Sequence, residues 1–279
     1  METRVYSNSN KYSIRQILFE SLRGYKNSFY LAKQLAVRDI RSQYRQSILG
    51  VFWGLVPVLS NAFVWIFLQS SGTIKLDSTN VPYPLFVVLG TTIWSLFSEC
   101  LMMPISTVNA NIGIITKINF DKEALISLGF IKILFNLSIK LGLILFFLIY
   151  FQIMPSSSFI MFVPILGLIM LLFISLGIIL TPIGVLYNDV NKFIPFLFQL
   201  LMYVSPVLYL TPKEGYMEKI ISINPLSYII IDIRNSLTGM PIENWFFLLA
   251  IFIFTIILAL FSLIVYRVSM PILTERMSS

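Results

Sequence analysis

The sequence predicts an all-α membrane protein, and three observations lead to that fold class. Hydrophobic residues make up 57% of the 279 residues and charged residues only 12%, whereas soluble domains are about 25% charged. The apolar residues lie in blocks long enough to cross a hydrocarbon layer of about 30 Å, which takes roughly 20 helical residues. Blocks such as LGLILFFLIYF do not alternate polar and apolar positions, so the spans are predicted to be helices.

Six apolar blocks predict six transmembrane helices. Pro104 is predicted to end the second of them, because proline interrupts a helix. The simplest division is a cytosolic N-terminal region, 1–50, followed by a six-helix transmembrane domain, 51–279. The predicted spans are 51–70, 84–103, 124–151, 159–186, 193–211 and 245–267.

The first 50 residues lack an apolar stretch of signal-peptide length, so we expect them to be retained. They contain two basic amphipathic stretches that are typical of helices at a membrane surface. In 11–30 the apolar positions are Ile14, Ile17, Leu18 and Leu22. In the second stretch Val37, Ile40, Tyr44 and Ile48 form an apolar stripe, and Arg38, Arg41 and Arg45 follow its edge. This helix is predicted to anchor the chain at the interface, where each basic residue contributes about 1 kcal/mol on an anionic leaflet.

The orientation follows from the twenty Lys and Arg residues. With six spans, fourteen of them lie on the side of the N- and C-termini, four on the opposite side and two within a span. The positive-inside rule therefore predicts cytosolic termini. Membrane lipids account for the formal charge of +7, which requires no nucleic acid.

Two kinds of chemistry are unsupported by the sequence. The lone Cys100 cannot form a disulfide within the chain, and there is no histidine. No Gly-x-x-x-x-Gly-Lys-Ser/Thr phosphate loop occurs, so the chain is not expected to hydrolyse ATP by the usual route, and we expect no cofactor in this chain.

Polar residues inside the predicted spans are candidate functional residues, because each charge there costs about 2.5–3.5 kcal/mol. Glu99 lies late in the second span, and Lys132, Asn136 and Lys140 form a ridge on the third. One interpretation pairs Glu99 with Lys132, while Lys140 either snorkels to the membrane surface or faces a neighbouring helix. The other is a ridge that meets an anionic substrate or a hydrated channel.

Two spans combine aromatic and polar residues on one helical face. A sugar could stack on such rings, but residues of this kind also occur where membrane helices pack. Both interpretations remain open for these candidate channel-lining residues: Asn61, Trp65, Phe196, Gln199 and Tyr203.

Several motifs in chain order resemble the permease subunits of bacterial ABC transporters that export polysaccharides, namely the O-antigen, capsule and teichoic acid exporters. The resemblance covers nearly the whole chain from about residue 30. This chain departs from the family at two places. It has Phe120-Asp121-Lys122 where the family usually has Phe-Pro-Arg, and Asn188-Asp189 where the family usually has Arg-Asp. The similar residues are Arg38-Asp39, 44–50, Trp53, Pro57, 109–111, 117–120, Leu125, 205–209, 224–226, Arg234 and Gly239.

The resemblance implies a permease in the bacterial inner membrane that exports a lipid-linked polysaccharide. It implies a homodimer with two copies of a separate ATPase, which would bind ATP and Mg²⁺, and a polyprenyl-diphosphate-linked polysaccharide as substrate. Short re-entrant helices are implied within 212–244, between spans five and six. Arg38, Arg41 and Arg45 would meet the diphosphate headgroup. The loop after span two would couple to the ATPase through Asn111, Lys117, Phe120 and Lys122, although an ordinary interhelical loop is the alternative.

Two other functions are compatible with the sequence. A drug or small-lipid exporter would have the same permease architecture. A membrane-embedded enzyme acting on lipid-linked sugars would need a catalytic acid such as Glu99, Asp189 or Asp232, but these do not form a carboxylate pair at one face of the predicted bundle.

Overall fold

A computed structural model of the chain describes residues 13–45, 47–72, 81–154, 156–211 and 214–278. Within these ranges the regular structure is entirely helical, as the sequence predicts. The α-helices are α1 (Ile14–Tyr44), α2 (Val56–Ser70), α3 (Tyr83–Ala110), α4 (Ile112–Ile115), α5 (Glu123–Tyr150), α6 (Phe162–Leu186), α7 (Asn188–Val204), α8 (Tyr216–Ile223), α9 (Pro225–Thr238) and α10 (Trp245–Ser278), with 3₁₀ helices at Gly50–Gly54 and Ser157–Met161.

Helix α3 is the centre of the bundle. It contacts α2, α5, α6, α7 and α9, and most of its side chains are buried. Glycines in the neighbouring helices allow close approach: a methyl group at Gly129 of α5 would overlap the Met103 side chain, and one at Gly177 of α6 would overlap the Leu101 carbonyl oxygen. Such small residues are typical of membrane helix contacts, where association depends on tight packing.

Among the described residues, four stretches are long and apolar enough to cross a membrane, by length and composition: Tyr83–Ala110, Glu123–Tyr150, Ser157–Leu186 and Trp245–Arg276. They correspond to the second, third, fourth and sixth predicted spans. The first and fifth contain α2, of 15 residues, and α7, of 17 residues, which are shorter than the roughly 20 residues that a span requires. The chain is therefore a multi-pass helical membrane protein.

Two predictions about helix ends were wrong. Pro104 does not end a helix, because α3 continues to Ala110 with Pro104 inside it; a membrane helix tolerates proline where neighbouring groups satisfy the freed backbone. The arginine-rich helix does not extend to Ile48: α1 ends at Tyr44, and Ile48 is fully exposed. Gly50, with φ of 50°, turns the chain there, a conformation that glycine adopts without steric cost.

Both predicted amphipathic stretches belong to the single 31-residue helix α1. The apolar face predicted around Ile14 and Leu22 points outward, with exposed fractions of 64% and 61%. The buried face is instead a stripe of small residues, which lets α1 pack tightly on α5. Its buried members are Ser21, Gly24, Ser28, Ala32, Leu35 and Ala36.

Helix α1 crosses α5 obliquely. Gly24 lies against Glu123 at the start of α5, and the Tyr44 ring lies 6.1 Å from that of Phe135. Between these two contacts α1 advances about 30 Å along its axis and α5 only about 18 Å, at 1.5 Å per residue. The two helix axes are therefore not parallel. Residues 111–122 join α3 to α5 at the same end of the bundle, which we call the α1 end.

Helices α8 and α9 occupy the opposite end, which we call the α9 end. They contain 8 and 14 residues, so neither is long enough to cross a membrane. Asn224 precedes α9, and its side-chain oxygen accepts a hydrogen bond from the Leu226 N–H at 3.0 Å. Gly239 ends the helix in the left-handed conformation, with φ of 80°, as is common at helix C-termini.

Candidate functional site

The three arginines predicted to meet a headgroup line one side of an open surface cavity of about 860 Å³ at the C-terminal end of α1. Arg38, Arg41 and Arg45 are three to seven residues apart, a spacing that keeps side chains on neighbouring faces of a helix. Val37 and Tyr44 are half-buried while the arginines are exposed, so the predicted apolar stripe with a basic edge is present over this part of the helix. The remaining lining residues are Gln34, Val37, Ser42 and Tyr44.

Arg38 is the arginine through which the cavity contacts the rest of the bundle. Its Nη2 and Nε donate to Asp39 Oδ1 at 2.7 and 3.0 Å, and Nη2 also donates to Asn111 Oδ1 at 3.3 Å. The second Asp39 oxygen lies 3.8 Å from Lys132 Nζ. Residues predicted for three separate roles thus meet in one cluster, at the junction of α1, α3 and α5.

This arrangement is suited to an anion with several oxygens. A guanidinium is planar and presents its donors as a fork that matches phosphate oxygens, and it stays charged at any physiological pH. The arginine side chains reach a cavity that is open to solvent, so a large headgroup could enter without displacing the packed core. The sequence prediction of a shared arginine surface is therefore compatible with the geometry, while the ligand stays a prediction.

The segment 111–122 has an inner and an outer side. Asn111 is 2% exposed, and its Nδ2 donates to the Thr107 carbonyl at 2.9 Å. Phe120 packs against the cluster that joins α1 to α5. Lys122 Nζ lies 4.3 Å from the Phe120 ring centroid and 3.5 Å from the carbonyl oxygens of residues 115 and 118; partial burial lowers the pKa of this lysine.

Only part of the predicted coupling set is therefore available to a partner. Lys117 is exposed, and its neighbours Ile118 and Asn119 are exposed with it. Asn111, Phe120 and Lys122 hold the segment in shape from within. The sequence could identify the segment but not which side chains point outward, because this depends on how α1 covers it.

A buried ion pair next to this segment was missed by the sequence analysis. Glu123 is 1% exposed and accepts a hydrogen bond from Arg267 Nη1 of α10 at 2.6 Å. Ser21 Oγ donates to the same carboxylate at 3.3 Å, and Arg267 Nη2 reaches Glu20 at 3.3 Å. Gly24 is needed here, since a methyl group on it would lie 2.9 Å from the Glu123 carboxyl carbon.

The same junction perturbs a tyrosine. Burial, together with the nearby Glu123 carboxylate, raises the pKa of Tyr25 well above its ordinary value. Tyr266 of α10 donates its hydroxyl to the Lys122 carbonyl at 2.9 Å. Helix α1, the last residues of segment 111–122 and helix α10 are thus connected by polar contacts at one point.

The polar residues inside α3 and α5 pair differently from the prediction. Glu99 binds Lys140, with Oε1 2.6 Å from Nζ, and Lys140 Nζ also donates to Ser95 Oγ at 2.8 Å. The expected Glu99–Lys132 pair is wrong, because Lys132 lies two turns nearer the α1 end and faces Asp39. Asn136, between the two lysines, is half-buried. Lys140 is enclosed rather than exposed to a channel within this protomer, with a side-chain exposure of 3%.

The two aromatic faces meet at one contact. The Trp65 ring of α2 lies 6.5 Å from the Tyr203 ring of α7. Asn61 is half-buried, whereas Phe196 and Gln199 lie on the exposed face of α7. These residues do not enclose a channel within one chain. The exposed side chains on α7 are available to lipid or to another copy of the chain.

At the α9 end the motif residues 205–209, 224–226 and Arg234 form one contact network. Arg234 donates from Nη2 to the carbonyl oxygens of Pro206 and Val207 at 3.0 and 2.9 Å, and its guanidinium lies 3.6 Å from the Phe86 ring centroid. Asn224 Nδ2 donates to Ser205 Oγ at 2.9 Å. The sequence identified the motifs but did not predict that Arg234 joins α9 to the chain after α7.

Asp232 of α9 also has a structural partner. Its Oδ1 accepts from the Glu243 N–H at 3.3 Å and from Asn244 Nδ2 at 3.1 Å, directly before α10 begins. A carboxylate is favourable at a helix N-terminus because of the helix dipole. Asp232 therefore connects α9 to the start of α10. This structural role explains the buried carboxylate, which was one of the candidate catalytic acids, without an enzymatic function.

Comparison with known proteins identifies the family. The family described as "ABC-2 type transporter" matches this chain over residues 30–238. The chain belongs to the ABC-2 type transporter family. It is accordingly a transport permease rather than an enzyme, and the matched residues include the arginine cavity, segment 111–122 and the α9 network.

Three relatives of this transporter carry one name, "O-antigen export system permease protein RfbA". A relative from Klebsiella pneumoniae is 26% identical over 258 residues, covering 88% of this chain and 98% of that protein. A second from the same organism is 24% identical and covers 75% of this chain and 82% of its own length. One from Myxococcus xanthus is 25% identical, covering 69% and 74% respectively.

Proposed function

We propose that this transporter exports a lipid-linked polysaccharide across the bacterial inner membrane, driven by ATP hydrolysis in a separate subunit. The similarity to three O-antigen export permeases supports the cargo class and favours it over a drug or a small lipid. The observation that carries the proposal in the structure is the arginine cavity, because it offers three guanidinium groups beside the segment predicted to couple to the ATPase.

The substrate would enter through its headgroup. A polyprenyl diphosphate carries phosphate oxygens, and the planar guanidinium of an arginine can bind two of them at once. Arg41 and Arg45 are exposed and line the cavity. The outward apolar side chains Ile14 and Leu22 of α1 would contact the lipid, and we propose that the cavity lies at headgroup depth. The sugar chain would then follow the headgroup.

Residues 111–122 would receive the ATPase. Lys117, Ile118 and Asn119 project from the α1 end, while Phe120 and Asn111 fasten the segment to the bundle. ATP and Mg²⁺ would be bound by the partner subunit. Two copies of this chain and two copies of the ATPase would make the complete exporter, with cytosolic termini.

We propose six spans, although four stretches in the described part of the chain meet the length criterion for a span. The 3₁₀ helix Gly50–Gly54 runs into α2 through a single residue, and at about 2.0 Å and 1.5 Å per residue the two together extend about 30 Å. Helix α7 extends about 25 Å, and residues 205–209 follow it as turns and bends. Helices α8 and α9 would be re-entrant, and the exposed faces of α2 and α7 would meet the second copy around the channel.

The first experiment tests the transporter assembly. The tagged chain is solubilised in mild detergent, and the eluate is assayed for an ATP-hydrolysing subunit in equal amounts. We expect a stable complex whose ATPase activity falls in Lys117→Glu, because this change reverses an exposed charge in the docking segment. A chain that purifies alone, with no nucleotide-dependent partner, contradicts the proposal.

The second experiment tests the arginines. Arg41→Glu with Arg45→Glu should reduce export of the polysaccharide to the cell surface while leaving the amount of chain in the membrane unchanged. Arg23→Glu is the matched control, because Arg23 is an exposed arginine on the same helix outside the cavity. Normal export in the double variant, or an equal loss in the control, removes the headgroup role.

A further inference from the structure

Arg38 belongs both to the cavity and to the junction with segment 111–122. Its side chain is 52% exposed and lines the cavity, while Nη2 donates to Asn111 Oδ1. Arg41 and Arg45 line the same cavity. An anion held by these two arginines would lie close to the donors that Arg38 now gives to protein groups.

We infer that a diphosphate in the cavity competes with Asp39 and Asn111 for Arg38, and that loss of the Arg38–Asn111 contact loosens segment 111–122. Asp39 and Asn111 are then positioning residues: Asp39 holds Arg38 while the cavity is empty, and Asn111 responds when Arg38 turns to the ligand. This inference rests on the proposed function, since it takes the cavity as the headgroup site.

The contact distances favour this order of events. Asp39 holds Arg38 with hydrogen bonds of 2.7 and 3.0 Å, whereas the Arg38–Asn111 bond is longer, at 3.3 Å. A guanidinium that reorients toward a second anion therefore gives up Asn111 first. A diphosphate adds a negative charge and paired acceptor oxygens that the neutral Asn111 amide lacks, so the exchange is favourable.

The exchange also leaves Asp39 with a cation. Lys132 Nζ lies 3.8 Å from Asp39 Oδ2, near enough to take the carboxylate when Arg38 moves. The side-chain exposure of Asp39 is only 17%, and an unpaired carboxylate there would be costly. Lys132, a polar residue of the third span without another assigned role, thereby completes the cluster.

Asn111 is placed to convert the change into a loop response. It lies between α3 and α4, and its carbonyl oxygen accepts from the N–H groups of residues 114 and 115 at 2.9 and 3.0 Å. Its Nδ2 stays on the Thr107 carbonyl. Loss of Arg38 frees only Oδ1, so the restraint between α1 and the segment is removed while the end of α3 remains intact.

The test is hydrogen–deuterium exchange on the full chain in lipid nanodiscs, with binding measured in parallel. The probes are a polyprenyl diphosphate in the nanodisc, the corresponding polyprenyl alcohol, and sodium pyrophosphate in solution. In the wild-type chain the lipid diphosphate should speed amide exchange in residues 111–122 by about three- to tenfold, the change that corresponds to losing one hydrogen bond. The alcohol should have no effect.

Three variants separate this relay from a structural role. Asn111→Asp places a carboxylate opposite Arg38 and should suppress the exchange response while diphosphate still binds. Asp39→Asn removes the competing carboxylate and should tighten diphosphate binding by about two- to fivefold, the range of exposed ion pairs. Asn109→Ala is the control, because Asn109 is a half-buried asparagine of α3 two residues before Asn111, and this variant should respond as the wild type does.

The possible failures can be told apart. Diphosphate binding that depends on Arg41 and Arg45 but leaves exchange in 111–122 unchanged overturns the relay alone. Absence of any binding overturns the headgroup site and the relay together. A response to pyrophosphate equal to that of the lipid supports the relay but contradicts a lipid-linked ligand.

Discussion

The junction of Glu123 with Arg267 gives a graded prediction for three glutamine substitutions. Arg267→Gln leaves the Glu123 carboxylate, which is 1% exposed, without its cation. Glu123→Gln leaves Arg267, which is 25% exposed and can still bind Glu20. Glu20→Gln removes the outer half of the pair, where Glu20 is 49% exposed. We therefore expect Arg267→Gln to be the most destabilising, because it leaves the most buried charge unpaired, followed by Glu123→Gln and then Glu20→Gln.

The magnitudes follow from the environment of each charge. Leaving a buried carboxylate unpaired costs about 3–5 kcal/mol, and we expect about 3 kcal/mol for Arg267→Gln because water reaches one side of the pair. Glu123→Gln should cost about 1–2 kcal/mol, since an amide can still accept from the arginine. Glu20→Gln should cost under about 1 kcal/mol. At about 2–4 °C per kcal/mol, the expected losses of Tm are about 6–12 °C for Arg267→Gln, about 2–8 °C for Glu123→Gln and under about 4 °C for Glu20→Gln.

The chain supplies its own reporter for this measurement. Cys100 is the sole cysteine of the sequence and is buried, so a thiol-reactive fluorophore reports thermal unfolding in detergent. The double variant Glu123→Gln with Arg267→Gln should be more stable than Arg267→Gln alone, because it no longer buries an unpaired charge. Equal Tm shifts for Arg267→Gln and Glu20→Gln would refute the buried ion pair.

Three further predictions concern other contacts. Lys140→Met should lower Tm in the same assay by leaving Glu99 unpaired, and adding Glu99→Gln should restore part of the loss; no recovery would contradict the pair. Gly90→Ala should destabilise by about 1–3 kcal/mol, because its methyl group would overlap the Val207 carbonyl, whereas Gly167→Ala, which has open space, should not. Arg234→Lys should impair export more than expression, since a compact ammonium cannot replace a flat guanidinium that donates to two carbonyls and also lies over the Phe86 ring; wild-type export would show that this geometry is unimportant.

Local patterns made part of the structure predictable. The arginines of α1 gather at one cavity because helical spacing fixes which side chains are neighbours. The long apolar helices follow from length and composition alone. The predicted helix end at Pro104 was wrong, because the packing around α3 outweighs the local tendency of proline to end a helix.

Contacts between distant residues could not be predicted. Glu123 and Arg267 are 144 positions apart, and nothing in either neighbourhood marks them as partners. Lys132 and Lys140 lie on the same ridge of α5, so only the lengthwise register of α3 against α5 decides which of them meets Glu99. The small-residue stripe of α1 was overlooked because the apolar residues on its other face gave the stronger signal.

The placement of α1 also sets the order in which the protein can be completed during synthesis. Glu20 is made early, but its partner Arg267 follows 247 residues later, which is about 12–50 s at ordinary translation rates of about 5–20 residues per second. For that time α1 can pack its small-residue face on α5, which is made earlier, but Glu20 lacks its partner on α10. The basic residues and outward apolar side chains of α1 can hold the nascent helix on the lipid surface meanwhile. The first helix to emerge therefore makes one of its contacts, that of Glu20 with Arg267, only when the last helix has been made.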